Sequence, residues 1–263
     1  MNKAVFLSSI IAAIGIVYDS LEFYFARDAI LTKFYNWRIV KSRYYILIRR
    51  PILTFLFDLF FERRTFSLLV ISHGVAAILF PFIFYVNNSL AAPFAFIVLF
   101  VHCLTNIRIL VGRDGADQMQ SIVWAGLFAY CLPINEQAKL AALWFIVAQL
   151  LLSYITSGIS KLASPVWRNG TALQLISRMA TYWPYKLSMT FKNRALSFVV
   201  AWSTIIFELF APLLLFFGRP GTLIFITLGV LFHAGIAIGM GLTTFVFAFL
   251  ATYPILFELV VKV

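Results

Sequence analysis

The stretch LAALWFIVAQLLLSYITSGISK, residues 140–161, decides the fold of this 263-residue chain. It contains no charged side chain before the terminal Lys161. A helix of about 20 apolar residues crosses the hydrocarbon core of a lipid bilayer. The whole chain is 62% hydrophobic and only 12% charged, with a mean hydropathy of +0.95. These values are typical of a membrane protein and exclude an ordinary soluble domain.

Further apolar segments of similar composition lie on both sides of this stretch. At roughly 20 residues per span, the length of the chain allows about seven or eight spans and no separate soluble domain. We therefore predict an all-α fold, a polytopic transmembrane helical bundle that forms a single membrane domain over residues 1–263. The predicted spans are residues 4–18, 66–86, 90–111, 117–133, 138–161, 195–217, 220–241 and 243–261.

Two longer stretches do not have the composition of a span. Residues 19–65 mix aromatic and basic side chains, which suits helices that lie in the membrane interface, and Asp58 argues against a crossing within PILTFLFDLFF. Residues 162–194 carry a turn signal at Asn169 and Gly170 before a helical pattern, which predicts a cap loop with a short surface helix. Strict alternation of eight spans places both stretches in the cytoplasm.

The charge distribution indicates what the basic residues contact. The formal net charge is +11, and nine of the twenty-one Lys and Arg residues lie between Arg27 and Arg64. Most of the others flank apolar runs, so we predict membrane lipids as partners and no nucleic acid. The two cysteines, Cys103 and Cys131, lie within or beside apolar segments and indicate no disulfide framework. We expect a multi-pass protein of the plasma membrane.

Among the ionisable residues of the predicted spans, four are candidates for a functional site: His102, Lys161, Glu208 and His233. Such residues are costly in lipid and are candidates for a functional site. Two interpretations fit Lys161. Its ammonium extends to the headgroups while its stem lies along lipid, or it faces the protein interior, where desolvation favours the neutral amine that a general base requires. Ser157 and Tyr154 share the helix face of Lys161, and this polar face favours the inward orientation.

Glu208 and His233 lie near the middle of consecutive spans. An unpaired carboxylate at that depth is costly, so Glu208 is expected to have an internal hydrogen-bond partner. The two side chains could meet across the GRPG turn that joins their spans, and the spacing of Gly235 and Gly239 allows close helix approach beside His233. A buried structural histidine remains the alternative for His233.

His102 and the acidic segment at residues 112–120 are weaker candidates for a functional site. His102 and Cys103 point to different sides of a helix and no second histidine follows at helical spacing, so we predict no metal site. In GRDGADQMQ, residues 112–120, Asp114 and Asp117 suit the N-terminal end of a helix, where the helix dipole favours negative charge.

Three passages together resemble the HTTM family, membrane proteins related to vitamin K-dependent gamma-carboxylase. SGISKLASPVWRNGTAL is similar to the family's lysine motif with its following Trp, Gly and Thr. GRDGADQMQSIVWAGLFAYCLP resembles its glycine and aspartate span entrance, and the C-terminal spans that contain FELFAP and FHAGIA resemble its glutamate and histidine spans. The resemblance covers roughly residues 66–262.

The resemblance implies roles for particular residues. In the carboxylase branch the lysine acts as a base on reduced vitamin K, whose oxygenation yields a stronger base that removes a glutamate γ-proton before carbon dioxide adds. That base would be Lys161, with His233 and Glu208 beside the pocket. Trp167, Gly170 and Thr171 match the cap motif, and Asp114 and Asp117 match the span entrance. A reduced, vitamin K-like quinone is the cofactor that the resemblance implies.

The length of the chain indicates which members of the family it resembles in size. We expect no equivalent of the large domain with which the animal carboxylase engages its substrate, and the chain is similar in size to bacterial members of the sporulation-delaying-protein B type. Those members assist the production of secreted peptide toxins. The expected partners are therefore a small secreted peptide and an accessory maturation protein. The alternative is a non-catalytic membrane protein that binds a lipid, a quinone or a peptide in immunity or export.

Overall fold

A computed structural model describes residues 1–29, 36–42, 50–109, 114–178 and 191–261. The described residues form α-helices and one 3₁₀ segment, without a strand. The helices are α1 (Asn2–Ala29), α2 (Trp37–Ser42), α3 (Pro51–Phe61), α4 (Arg63–Val86), α5 (Asn88–Arg108), α6 (Gly115–Cys131), α7 (Glu136–Ala163), α8 (Pro165–Arg168), α9 (Ala172–Ile176), α10 (Arg194–Phe210), α11 (Gly218–Met240), α12 (Thr243–Leu250) and α13 (Tyr253–Val261).

Six helical stretches in the described part of the chain are long and apolar enough to cross a membrane. This confirms an all-α, multi-pass membrane protein. Two differences separate these six stretches from the eight predicted spans. The helix α6 has only 17 residues, and α10, the 3₁₀ segment Ala211–Phe217 and α11 together count as one stretch of 47 residues. The six stretches are Asn2–Arg27, Arg63–Val86, Asn88–Arg108, Glu136–Ala163, Arg194–Met240 and Thr243–Val261.

The first helix is longer than the sequence predicted. The predicted span ends at residue 18, but α1 continues without interruption through Asp19 and Glu22 to Ala29. Residues 19–29 are therefore part of the first helix and do not start a separate interfacial element. The rest of the predicted interfacial region contains α2 and α3, whereas residues 30–35 and 43–49 lie outside the described part of the chain.

The chain divides into two compact units, Asn2–Leu143 and Trp144–Val263, the second also including Met1. In the N-terminal unit α1 packs along α4, because Phe6 contacts Tyr85 near one end and Phe23 contacts Phe66 near the other. Small residues such as Ala12 and Ala13 are buried on α1, which allows the close backbone approach that drives helix association in lipid. The single membrane domain predicted for residues 1–263 stays a prediction.

A polar contact fixes the short helices of the N-terminal unit. Lys41 on α2 donates to both carboxylate oxygens of Asp58 on α3, at 2.9 and 2.7 Å, and Trp37 Nε1 donates to Asp58 Oδ1 at 2.6 Å. Burial would raise the pKa of Asp58, but the hydrogen bonds from Lys41 and Trp37 and the charge of Lys41 together lower it below its usual range. Asp58 therefore serves as the anchor between α2 and α3.

Asp114 and Asp117 begin α6 as a reciprocal cap. The Asp114 side chain accepts from the Ala116 backbone N–H at 2.8 Å, and the Asp117 side chain accepts from the Asp114 N–H at 3.0 Å. This capping box satisfies backbone donors that have no partner within the helix. The predicted acidic helix start is confirmed.

Removal of this cap has a measurable cost. We expect Asp114→Ala to lower the free energy of unfolding by about 1 kcal/mol, the usual value for an N-cap replaced by alanine. Asp114→Ser restores a capping oxygen and should recover most of the loss. Thermal unfolding in detergent measures both variants, and an unchanged midpoint for Asp114→Ala would contradict the assigned role.

The C-terminal unit contains a chain reversal between α10 and α11. The ring centroids of Phe207 and Phe232 are 4.9 Å apart, whereas a continuous straight helix would hold them roughly 37 Å apart. The reversal is made by the 3₁₀ segment Ala211–Phe217 and by Gly218, whose φ of +62° suits glycine. Of the GRPG residues predicted to be the turn, Gly218 takes part in the reversal, and the other three lie in the first turn of α11.

Candidate functional site

One face of α7 carries the polar residues of the candidate site. Tyr154, Ser157 and Lys161 follow one another at helical spacing, so their side chains project from the same side of the helix. The Lys161 Nζ donates to Ser157 Oγ at 2.5 Å, one turn earlier. The shared face that the sequence predicted is therefore present.

Lys161 is paired with Glu208 of α10. Its ammonium donates to Glu208 Oε1 at 2.8 Å and to Oε2 at 2.7 Å, and Ser157 Oγ donates to Glu208 Oε1 at 3.1 Å. The side chain of Lys161 is 18% exposed and that of Glu208 6% exposed. Of the two interpretations of Lys161, the inward orientation matches these contacts, because the ammonium has a protein partner. Glu208 has the internal partner that the sequence required.

His233 belongs to a second polar cluster of the same unit. Tyr154 Oη lies 2.9 Å from His233 Nε2 and 3.0 Å from the Oη of Tyr253 on α13. All three side chains are buried, with 2 to 4% exposed. His233 Nδ1 is buried and has no hydrogen-bond partner among the described residues.

Aromatic rings enclose this second cluster. The ring of Phe249 stacks on His233 with centroids 4.1 Å apart, and Phe232 packs against His233 edge-on at 5.2 Å. Phe207 and Phe225 approach the ring of Tyr154, each at 5.5 Å. The hydrogen bonds of Tyr154 therefore lie in a buried, largely apolar environment, where they are stronger than at a surface.

The sequence suggested that Glu208 and His233 could meet across the turn between their spans, whereas the structure shows each of them bonded to α7. Each bonds to α7, Glu208 at Ser157 and Lys161 and His233 at Tyr154. Because Tyr154 and Ser157 are one turn apart, the two clusters lie about 4.5 Å apart along the axis of α7. The helix α7 is therefore the element that brings the predicted site residues together.

The glycine that permits close packing here is Gly229. A side chain at Gly229 would overlap Tyr253 Oη and lie 3.2 Å from Tyr154 Oη. Gly235 is exposed and a Cβ there would meet no atom within 4 Å, so the predicted close approach at Gly235 is wrong. Gly229 and Tyr253 were not predicted as site residues, because neither forms a motif with His233 in the sequence.

The predicted cap residues attach α8 and α9 to the helix that carries Glu208. Gly170 has a φ of +76°, and a Cβ there would lie 2.6 Å from the Phe198 Cα of α10. Its carbonyl accepts from Ser197 Oγ at 2.5 Å, while Thr171 Oγ1 donates to Asn169 Oδ1 at 2.7 Å. Only glycine suits this conformation and this contact. The predicted short surface helix corresponds to Ala172–Ile176, and residues 179–190 of the cap loop lie outside the described part of the chain.

Trp167 covers the ammonium of Lys161. The Nζ lies 5.2 Å from the centroid of the Trp167 ring, within the range of a cation–π interaction. Trp167 is half-buried and therefore presents part of its ring outside the protein interior. Lys161 thus has an anion, a hydroxyl and an aromatic face as its neighbours.

Asp114 and Asp117 belong to the N-terminal unit, where they cap α6. His102 Nε2 donates to the Asp117 carbonyl at 2.9 Å, and the His102 ring lies 5.7 Å from that of His73. Across the described ranges, no three His, Cys, Asp or Glu side chains come together in a way that could hold a metal ion.

These features define a class: a multi-pass α-helical membrane protein with a lysine–glutamate pair between two of its long apolar helices. The C-terminal part of the chain is an HTTM domain, since the model of that domain matches residues 131–259. The matched range contains Lys161, Glu208 and His233, whereas the whole GRDGADQMQ passage, residues 112–120, lies before it. No curated protein and no solved structure matches the chain.

Proposed function

We propose that this protein is an HTTM-type membrane enzyme or maturation factor that modifies a secreted peptide, with Lys161 as its base. The observation that carries the proposal is the contact of Lys161 with Glu208 and Ser157 next to the Tyr154–His233 cluster. Ionisable groups that meet in a shared apolar environment are typical of a catalytic site. The plasma membrane, multi-pass, is the proposed location, and an accessory maturation protein is a proposed partner.

The proton chemistry follows from the ion pair. While Lys161 is an ammonium, it cannot accept a proton. Transfer of one proton across the 2.7 Å to Glu208 leaves a neutral amine beside a neutral carboxyl group. The amine then accepts a proton from an acidic O–H or C–H of the bound molecule, and Glu208 holds the first proton until the cycle closes. Ser157 keeps the amine oriented during this exchange.

The residues around Lys161 fit the reduced quinone that the family resemblance implies. Trp167 would hold the ring of such a molecule by stacking, and Lys161 with Ser157 would face its hydroxyl group. When bound, a reduced quinone would supply, after oxidation, a base stronger than an amine. His233, with its unbonded Nδ1, would contribute a polar atom in the adjacent apolar cluster.

A second candidate is a non-catalytic membrane protein that binds a lipid, a quinone or a peptide, as an immunity or export accessory. Lys161 and Glu208 neutralise each other's charge, as they would in an ion pair with a purely structural role. This arrangement supports the second candidate. The two candidates differ in whether the lysine must lose its proton.

The test compares the intact masses of peptides secreted by cells that carry the protein or a variant at equal membrane abundance. We expect a mass or cleavage difference that disappears in Lys161→Ala and also in Lys161→Arg, because arginine keeps the charge but cannot become a neutral base. Lys139→Ala removes a lysine from the same helix and should leave the difference intact. A carbon dioxide increment would identify carboxylation.

Two outcomes would change the conclusion. A peptide difference that persists in Lys161→Arg supports the binding protein, in which only the positive charge is needed. Spectra that do not depend on the protein at all would refute peptide modification.

A further inference from the structure

Arg108, the last residue of α5, is a buried cation of the N-terminal unit that its described contacts do not neutralise. The residue is only 2% exposed, and its Nε and Nη1 are buried without a hydrogen-bond partner among the described residues. A buried charge without a partner costs several kcal/mol. An anion that neutralises Arg108 would remove this cost.

The surroundings of Arg108 are aromatic. Its guanidinium carbon lies 5.8 Å from the ring centroid of Trp37 and 5.7 Å from that of Phe66. Phe66 belongs to a buried cluster with Phe23, Phe61 and Leu104, and Trp37 of α2 packs against this cluster, which therefore joins α1 to α5. Rings at this distance supply weak cation–π attraction, which falls short of the charge compensation that a guanidinium requires.

Asp58, the acidic residue bonded to Trp37, is already engaged in other hydrogen bonds. Asp58 accepts two bonds from Lys41 and one from Trp37, so its carboxylate is bonded to α2 and not to Arg108. The helix C-terminus favours a cation at residue 108, but that effect is typically below about 1 kcal/mol. The protein thus provides Arg108 with apolar contacts and no described counterion.

The position of Arg108 indicates which anion is near. The helix α5 has 21 residues and a length of about 32 Å, which is close to the thickness of the hydrocarbon core. Its last residue therefore lies at the depth of the lipid headgroups. Exposed arginines of the same unit, Arg50, Arg63 and Arg64, attract anionic lipids to this region.

We propose that Arg108 and the aromatic cluster around Trp37 and Phe66 form a site for one anionic phospholipid. The guanidinium pairs with the lipid phosphate, for which its planar set of donors is suited. The partly exposed ring of Trp37 contacts the glycerol and the upper acyl chains, whereas the buried rings of Phe61 and Phe66 pack on the inner side of the site. This site lies within Asn2–Leu143 and is independent of the function proposed for Lys161.

The test uses the full-length protein in phosphatidylcholine nanodiscs with and without phosphatidylglycerol. We expect phosphatidylglycerol to raise the unfolding midpoint by about 4 °C, since a ligand that binds only the folded state stabilises it. We expect Arg108→Met, which keeps an apolar stem of similar length, to lose this shift. Native mass spectrometry should show one retained phosphatidylglycerol on the wild-type protein and none on Arg108→Met.

A control and a conservative variant separate the site from general surface charge. Arg50→Gln also removes one positive charge but from an exposed position, so it should keep the retained lipid and at least three quarters of the midpoint shift. Arg108→Lys keeps the charge without the planar fork, and we expect roughly tenfold weaker retention. If Arg108→Met does not fold, Arg108→Lys and Arg50→Gln still decide the comparison.

Three results would overturn the proposal. The first is an equal phosphatidylglycerol shift in the wild-type protein and Arg108→Met. The second is an equal loss of retained lipid in Arg50→Gln and Arg108→Lys, which would indicate diffuse attraction. The third is the full shift produced by inorganic phosphate in phosphatidylcholine discs, which would identify a free anion as the ligand.

Discussion

Replacement of Glu208 by glutamine is expected to lower the free energy of unfolding by about 3 kcal/mol. The carboxylate accepts two bonds from Lys161 and one from Ser157, and its side chain is only 6% exposed. Glutamine keeps the shape but leaves the ammonium without a counterion. Breaking a buried pair at one partner typically costs about 3–5 kcal/mol, and the 18% exposure of Lys161 places this site at the lower end.

The double variant provides the decisive comparison. Removal of both charges in Lys161→Met with Glu208→Gln should recover stability to within about 1 kcal/mol of the wild-type protein, because no unpaired charge remains. Glu136→Gln is the control, since Glu136 also pairs with a lysine but its side chain is 85% exposed. It should cost less than about 0.5 kcal/mol. Denaturant titration in mixed micelles measures the wild-type protein, Glu208→Gln, Lys161→Met, the double variant and Glu136→Gln.

An additive result would contradict the ion-pair assignment. If the double variant is less stable than Glu208→Gln by the full cost of Lys161→Met, the two side chains do not interact energetically. A loss for Glu208→Gln no larger than that for Glu136→Gln would have the same meaning.

Replacement of Gly229 by alanine is expected to cost about 3 kcal/mol, the upper end of the usual penalty for an overpacked core. The added methyl group would overlap Tyr253 Oη and approach Tyr154 Oη, which also bonds to His233. Neither tyrosine can move without breaking the cluster. In the same helix, Gly235→Ala places its methyl group in open space and should be neutral or slightly stabilising, since alanine favours helices.

A rescue variant identifies the overlapping atom. Tyr253→Phe removes the hydroxyl and should alone cost about 1 kcal/mol, the value of a lost hydrogen bond. Combined with Gly229→Ala it should cost less than the sum of the two single variants, because the overlap with Oη is relieved. Thermal unfolding of the wild-type protein, the two single variants, the double variant and Gly235→Ala tests this. Equal losses for Gly229→Ala and Gly235→Ala would refute the close approach.

The amino-acid sequence was sufficient for features that depend on neighbouring residues along one helix. Composition and apolar run length predicted the membrane fold, and helical periodicity placed Tyr154, Ser157 and Lys161 on one face. The capping box of Asp114 and Asp117 is local in the same sense. The family resemblance also followed from short motifs, and it is confirmed for residues 131–259.

Contacts between helices could not be predicted in the same way. The sequence indicated that Glu208 needs an internal hydrogen-bond partner and suggested His233 for this role. In the structure Glu208 is bonded to Lys161, 47 residues away along the chain. That choice depends on the reversal at Ala211–Phe217 and Gly218, which sets how α10 and α11 pack on one another. Tyr253 was missed for the same reason, since its neighbours Tyr154 and Gly229 lie on other helices.

The sequence by itself therefore determined the kind of protein, the chemical groups available within its apolar helices and the face of α7 on which they lie. The tertiary structure decided which of these groups meet: Lys161 with Glu208, His233 with Tyr154, and Arg108 with aromatic rings instead of an acid. The physical reason is the range of the interactions. Helix formation in lipid is governed by backbone hydrogen bonds and hydropathy within one segment, whereas the pairing of polar side chains depends on close packing between segments distant in the chain.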